Sequence, residues 1–233
     1  MSQILAVKVT GATTLTLLNG NQLYTAIRKQ AVPQVALNTL GPIGDEVGDK
    51  THHGGVDKAV FFNGQKTLEK LTALLGLEYD YLQDSRFGEN FVVSELDEEN
   101  VCVGDQFRIG EVLVEVCQPR KPCNTLSKNT ENNDTRKVVV EQSLVGWYAR
   151  VLQTGVIHQG DRLTLLARPY PDLTIKAVHQ LLALPAKTLN ATLLAQALDC
   201  PPLAEGYKKT LRKQAEKHAL HSDESAFFNT PEF

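Results

Sequence analysis

Short apolar runs punctuated by turn residues dominate the first two-thirds of the chain. Ile4–Val9 predicts an opening strand, and Thr14–Leu18 predicts a second that ends in the Asn19-Gly20-Asn21 turn. Tyr24–Lys29 and Val32–Leu37 alternate like further short strands, and Val103–Glu111 predicts a strand and turn that hand over to the β-branched run Val112–Val116. Gly155–Leu166 reads as a closing strand. Several short strands in succession predict a mostly β domain, a barrel or sandwich, with peripheral helices. Leu68, Leu71, Leu74 and Leu75 fall at helical spacing and stop at Gly76. A second helical stripe, Val140, Leu144, Trp147/Tyr148 and Val151, is predicted between Arg136 and Gln153, after a polar, mobile loop or lid at Asn129–Asp134.

The pattern changes at the Pro-bounded linker Arg168–Asp172. Three amphipathic helices follow: one capped by Asp172 and carrying Ile175, Val178, Leu181 and Leu182; one capped by Asn190 with Leu193, Leu194, Ala197 and Leu198; and one after Pro201-Pro202 with Leu203, Tyr207, Leu211, Ala215 and Ala219. The expected organisation is a β domain over 1–167, a small C-terminal three-helix bundle over 172–220, and a frayed tail over 221–233. The run Lys208, Lys209, Arg212, Lys213 and Lys217 reads first as a solvated face, with docking of an acidic redox partner as the sharper alternative.

Composition narrows the function classes. A formal charge of −3, from 24 Lys+Arg against 27 Asp+Glu, gives no global field for a nucleic acid polymer or an anionic membrane. No apolar run reaches the roughly 18 residues needed to span a bilayer. Four cysteines (Cys102, Cys117, Cys123, Cys200) without a signal peptide fit a reducing, cytoplasmic setting better than a disulfide scaffold.

The chemistry concentrates in Cys117-Gln118-Pro119-Arg120-Lys121-Pro122-Cys123, where a strand opens into a loop. Two prolines stiffen that loop, and Arg120 and Lys121 favour the thiolate form of Cys123, the form that attacks electrophiles and binds soft metals. Cys117, at the strand end, reads as a small buried hydrophobe. A second stretch, His53-Gly54-Gly55, sets bare backbone beside an imidazole and near Asp49 and Asp57; a plain hairpin turn would select the same residues. A zinc site from His52, His53, Cys117 and Cys123 lacks the tight ligand spacing of structural sites. Arg86 and Asn90, in Arg86–Val93, are polar groups suited to a heterocycle or phosphate, or to a self-capped surface turn.

Three stretches, His53-Gly54-Gly55-Val56-Asp57-Lys58-Ala59-Val60, Arg86-Phe87-Gly88-Glu89-Asn90-Phe91 and Gln118-Pro119-Arg120-Lys121-Pro122-Cys123, together resemble the signatures of the MOSC superfamily, in its YiiM-like branch. The helices after Pro171 resemble the three-helix appendage of that branch. The resemblance implies a β-barrel-like domain that binds molybdenum cofactor, with Cys123 as the protein ligand to the metal. It puts Lys29, His53 and Asn90 at positions that hold the cofactor's phosphate and pterin, with Arg86 and Arg120 added to that set. The activity implied is reduction of N-hydroxylated compounds, such as hydroxylaminopurine base analogues, to amines. His53 serves there as proton donor or cofactor holder, and electrons come from a separate flavin or iron–sulfur reductase. Other readings of the same residues are a non-catalytic cofactor or persulfide carrier using Cys123, and a Cys117–Cys123 redox pair. A homodimer is left open.

Overall fold

The computed structural model describes residues 1–49, 53–185 and 188–228, with side chains through 216. Thirteen strands are described: β1 (Ile4–Val9), β2 (Thr13–Thr16), β3 (Gln22–Thr25), β4 (Gln30–Val32), β5 (Gln34–Asn38), β6 (Gly41–Pro42), β7 (Val60–Gly64), β8 (Phe91–Val93), β9 (Gln106–Ile109), β10 (Val112–Pro119), β11 (Trp147–Gln153), β12 (Gly155–His158) and β13 (Leu163–Ala167). The helices are α1 (Gln65–Leu75), α2 (Asn124–Thr130), α3 (Thr135–Glu141), α4 (Ile175–Ala183), α5 (Ala191–Asp199) and α6 (Glu205–Phe228), with a 3₁₀ turn at Val56–Lys58.

Eight strands form one mixed sheet in the order β13-β9-β10-β11-β7-β8-β1-β4, flanked by a β12-β5-β6 sheet and the β2-β3 hairpin. The long sheet curls back on itself. An antiparallel bridge joins Gln3 to Arg162, and the Leu163 amide donates to the Ser2 carbonyl at 3.0 Å, so β13 meets the start of β1. This is the mostly β, barrel-like architecture expected, and peripheral helices cover it. Among the described residues the one parallel pairing in the sheet is β7 with β8, in register Phe62 to Phe91, with α1 in the crossover between them. Phe62 stacks on Phe91 at 5.0 Å and on Trp147 at 6.1 Å between ring centroids, which packs three neighbouring strands around one aromatic column.

Several local expectations are corrected. The segment Arg136–Gln153 is not one helix: α3 ends at Glu141 and β11 begins at Trp147. Trp147, Ala149 and Val151 are buried at every second position, so a period of two replaces the apparent helical stripe. Gly146, at φ 65°, makes the break, and a Cβ there would sit 2.5 Å from the Phe62 carbonyl oxygen. The expected lid at Asn129–Asp134 is ordered into the end of α2 and the turn into α3. Its Asn129 side chain is fully buried, accepting from Arg28 Nε at 2.9 Å and donating to the Arg86 carbonyl at 2.8 Å. Strand β3 stops at Thr25, so Ala26–Lys29 leaves the sheet edge. Helix α4 is capped by Thr174, whose hydroxyl accepts from the Ala177 amide at 3.1 Å, and not by Asp172. Asn190 caps α5 as expected, accepting from Leu193 at 3.0 Å.

The three C-terminal helices do not form a separate core. Leu173, Ile175, Val178, Leu203, Tyr207 and Leu211 are continuous with the apolar interior of the sheet. Backbone bonds reinforce the join: Ile175 donates to Val101 at 2.8 Å, and Ala204 donates to Cys117 at 3.0 Å. Helix α6 continues to Phe228, where a frayed tail was expected from His221; residues 229–233 of that tail lie outside the described residues. No described helix is long and apolar enough to cross a membrane.

Candidate functional site

Strand β10 ends at Pro119, and Pro122 follows three residues later, so neither residue can extend the ladder by donating an amide. The chain turns through Arg120 and Lys121, and Cys123 becomes the extended residue that precedes α2, at φ −107° and ψ 167°. Register then fills in the neighbours. Gln118 pairs with Tyr148 on β11, Tyr148 pairs with Phe61 on β7, and the parallel β7–β8 step puts Asn90 beside Phe61. The Asn90 side-chain oxygen accepts from the Phe61 amide at 3.1 Å. Segments 30 to 90 residues apart in sequence therefore meet at one end of the sheet.

At that end Phe61, Asn90 and Tyr148 line a cleft of about 560 Å³ together with Lys29, His53, Arg120 and Cys123. Five of the six residues expected to bind cofactor thus share one cavity. Arg86 does not line it: its guanidinium lies over the Tyr79 ring, 5.5 Å from the centroid, and pairs with Asp84 at 3.3 Å. The floor is aromatic. Phe61 and Tyr148 pack at 4.9 Å, and Arg120, only 5% exposed, stacks 5.6 Å from the Phe61 centroid.

The sulfur of Cys123 carries the strongest chemical signal. Burial pushes its thiol up, but a hydrogen bond from His53, the charge of Arg120, and the Thr125 hydroxyl and amide outweigh burial and bring it down to about 6. The other cysteines behave oppositely. All four thiols are free, Cys117 is fully buried, and burial pushes its thiol far up. The Cys117 sulfur hydrogen-bonds the Asp57 carbonyl at 3.0 Å, the setting of a small buried packing residue. Among the described residues no group of three or more His, Cys, Asp or Glu could hold a metal; His52 of the zinc reading lies outside them.

Asp45 organises the opposite wall, and sequence reasoning missed it. Its carboxylate accepts from Lys29 Nζ at 2.5 and 2.6 Å, from Asn90 Nδ2 at 2.9 Å and from the Thr10 amide at 2.9 Å. Burial lowers the Lys29 pKa, and Asp45 opposes that shift. A lone aspartate in a Gly-Pro-Ile-Gly-Asp turn reads as turn chemistry, and its partners lie 16 and 45 residues away.

The loop that carries His53 is held from below. Gly54 and Gly55 take φ of 87° and 83°, a conformation that glycine adopts without strain. The Asp57 carbonyl accepts from Gln118 Nε2 at 3.0 Å, and its carboxylate accepts from Arg150 Nε at 2.6 Å. Arg150 also donates to Glu115 at 3.1 Å and to the Pro202 carbonyl at 2.8 Å. One guanidinium thus joins the His53 loop, β10 and the C-terminal helices. Chemically, the cleft presents a soft anionic donor, buried cations, amide and carboxylate partners, and an aromatic floor.

Comparison with known proteins agrees with this fold. The family model described as MOSC domain matches residues 49–164. The uncharacterized protein YflK of Bacillus subtilis is 32% identical over 200 residues, which are 85% of this chain and 88% of that protein. A Gibberella moniliformis protein named "Reductase" is 33% identical over 184 residues, but these are 32% of its length, so the chain spans about a third of that relative. The crystal structure of YiiM from Geobacillus stearothermophilus matches with a TM-score of 0.74 at 27% identity, covering 92% of this chain and 99% of that one.

Proposed function

The chain belongs to the MOSC domain family, in its YiiM-like branch, and from that premise we propose that it is a molybdenum-cofactor-dependent reductase of N-hydroxylated compounds. The observation that carries the reading is Cys123: a half-buried thiol held down to about 6 at the edge of a cation-lined cleft. Thiolate is the protein donor that a soft metal selects, and at neutral pH this sulfur is already deprotonated.

The residues present suit the cofactor. Cys123 would ligate the metal; Lys29, Arg120 and Asn90 would meet the phosphate and pterin; and Asp45 holds Lys29 and Asn90 in position through bonds of 2.5–2.9 Å. When bound, the cofactor supplies the two-electron chemistry, R–NHOH + 2e⁻ + 2H⁺ giving R–NH₂ + H₂O. The protein's own share is positioning and proton handling. His53, hydrogen-bonded to Cys123, is a proton donor within the cleft, and the Phe61–Tyr148 floor offers a flat apolar surface to a heteroaromatic substrate. Support for reduction also comes from the Gibberella relative's name, "Reductase".

The test is molybdenum and pterin content of protein purified from a cofactor-making host, alongside turnover of an N-hydroxylated purine with dithionite as electron source. Near-stoichiometric metal and pterin, both lost in Cys123→Ala, together with amine production, are the expected results. Cofactor without turnover would support the carrier reading, and retention of metal by Cys123→Ala would overturn the ligand assignment.

A further inference from the structure

Among the described residues the C-terminal helices contribute nothing to the cleft lining, yet both cleft loops are tied to them. The first tie runs through Arg150 on β11, which faces Glu115 in the β10–β11 register. Its Nε donates at 2.6 Å to the carboxylate of Asp57, four residues after His53, and its Nη1 donates to Glu115 at 3.1 Å and to the Pro202 carbonyl at 2.8 Å. The Asp57 carbonyl accepts from Gln118 and from the Cys117 sulfur, each at 3.0 Å, so main chain and side chain of that residue are both held. Pro202 belongs to the turn between α5 and α6, where Leu203 and Ala204 are buried and the Ala204 amide donates to the Cys117 carbonyl at 3.0 Å. The second tie is Lys121, two residues before Cys123, whose Nζ donates to the Thr210 hydroxyl on α6 at 3.0 Å. The Arg150 and Glu115 side chains are 22% and 16% exposed and that of Asp57 is 36% exposed, so solvent screens the first tie only in part.

We infer that Arg150 is a positioning residue, through which the seating of the C-terminal helices sets where the His53 loop stands in the cleft. The contacts are continuous: the Pro202 carbonyl meets the guanidinium, the guanidinium meets the Asp57 carboxylate, and the 3₁₀ turn Val56–Lys58 leads back through Gly55 and Gly54 to His53. Packing supplies little grip of its own at the glycines, since a Cβ on Gly55 would meet nothing within 4 Å. The loop is held instead at its two ends, by the His53 amide donating to the Asp49 carbonyl at 3.0 Å and by the bonds to Asp57. A planar guanidinium can meet a carboxylate and a carbonyl in fixed directions at once, which the single ammonium of a lysine cannot. The positioning role stands on these contacts alone. Its effect on turnover rests on the reductase reading, in which His53 donates a proton.

The experiment is amide hydrogen exchange on the full chain, with wild type, Arg150→Met, Leu203→Val and the double variant. The reporter is the Lys58 amide, which donates to the Gly55 carbonyl at 2.9 Å; the control is the Asn90 amide, which donates to the Phe61 carbonyl at 2.8 Å. Losing a hydrogen bond between charged groups should speed Lys58 exchange about tenfold or more in Arg150→Met and leave Asn90 unchanged. Leu203→Val, which trims a buried side chain of the α5–α6 turn, should speed Lys58 exchange in wild type and add nothing in Arg150→Met, where the link is already cut. A Lys58 rate within about twofold of wild type in Arg150→Met overturns the proposal, and so do additive effects of the two substitutions. If Arg150→Met also speeds Asn90, the loss is global, and Asp57→Asn decides: it spares the Glu115 and Pro202 bonds, is expected to speed Lys58 alone, and an unchanged Lys58 rate overturns the proposal. Turnover of an N-hydroxylated purine with dithionite is the second readout. Arg150→Met should lower kcat about tenfold with KM within about twofold, the mark of a displaced proton donor. Wild-type protein without turnover sinks the reductase reading, and the exchange rates still decide the role of Arg150.

Discussion

Replacing Arg120 by Met keeps an unbranched side chain over the Phe61 ring while removing the charge beside Cys123. The wild-type thiol is lowered from 9.0 to about 6. A nearby opposite charge lowers an acid by about 1–3 units, so the variant should titrate near 8. The assay is the rate of alkylation by iodoacetamide as a function of pH. Cys102, Cys117 and Cys200 are 2%, 0% and 1% exposed, so the reaction reports Cys123, and Cys123→Ala supplies the blank. The midpoint is the informative quantity, not the rate at a single pH. At pH 7 a shift from 6 to 8 cuts the thiolate fraction from roughly 90% to roughly 10%, but two units of basicity raise intrinsic nucleophilicity about six- to tenfold, so the rates nearly cancel. His53→Ala should move the midpoint in the same direction by removing the hydrogen bond. A wild-type midpoint of 8.5–9, or an Arg120→Met midpoint within about half a unit of wild type, would refute the electrostatic account of the site. The same shift has a stability sign. The folded value lies below the unfolded one, so the thiolate's contribution is complete above pH 9 and is lost as pH falls through about 6. That contribution is at most about 4 kcal/mol, and solvent at the half-exposed sulfur reduces it.

Gly146→Ala should destabilise the fold by about 3 kcal/mol, because it combines a positive φ with a Cβ 2.5 Å from a backbone oxygen. That corresponds to a fall of roughly 6–12 °C in the thermal midpoint, and a change under about 2 °C would contradict the assigned turn. Lys8 and Glu89 form an ion pair at 2.7 Å with both side chains fully buried. Lys8→Met leaves the carboxylate uncompensated and should cost about 3–5 kcal/mol in urea melts, with less than about 1 kcal/mol arguing that the pair is not formed.

Much of the fold was legible because its signals are local. Ile4–Val9 and Val112–Val116 read as strands from their apolar, β-branched residues, and Gly76 closes α1 at φ 60° as its position implied. Where two periods coincide, sequence misleads. Val140, Leu144, Trp147 and Val151 satisfy a 3.6-residue repeat, yet the interior takes Trp147, Ala149 and Val151 from a strand. The clue was Gly146. Helix α2 was hidden because Asn124–Asp134 is polar apart from the single buried Leu126, and what orders Asn129 is Arg28, 101 residues away. The same limit applies to the candidate site. Cys123 was readable from its flanking prolines and cations, whereas Arg86, a stretch away in sequence, stacks on Tyr79 outside the cleft. Asp45 was invisible because its role exists only once Lys29 and Asn90 converge on it.

The residues around the cleft run from Tyr24 to Tyr148, and the Arg150 anchor beneath the His53 loop reaches the Pro202 carbonyl. A nascent chain therefore cannot offer this cavity in pieces: almost the whole polypeptide must leave the ribosome and close its sheet before the walls face each other. Whatever occupies the cleft is a latecomer, received by a finished protein and unable to template its folding. Occupancy then reports on maturation, since a chain that fails to seat its last helices lacks the final brace of the His53 loop and stays empty.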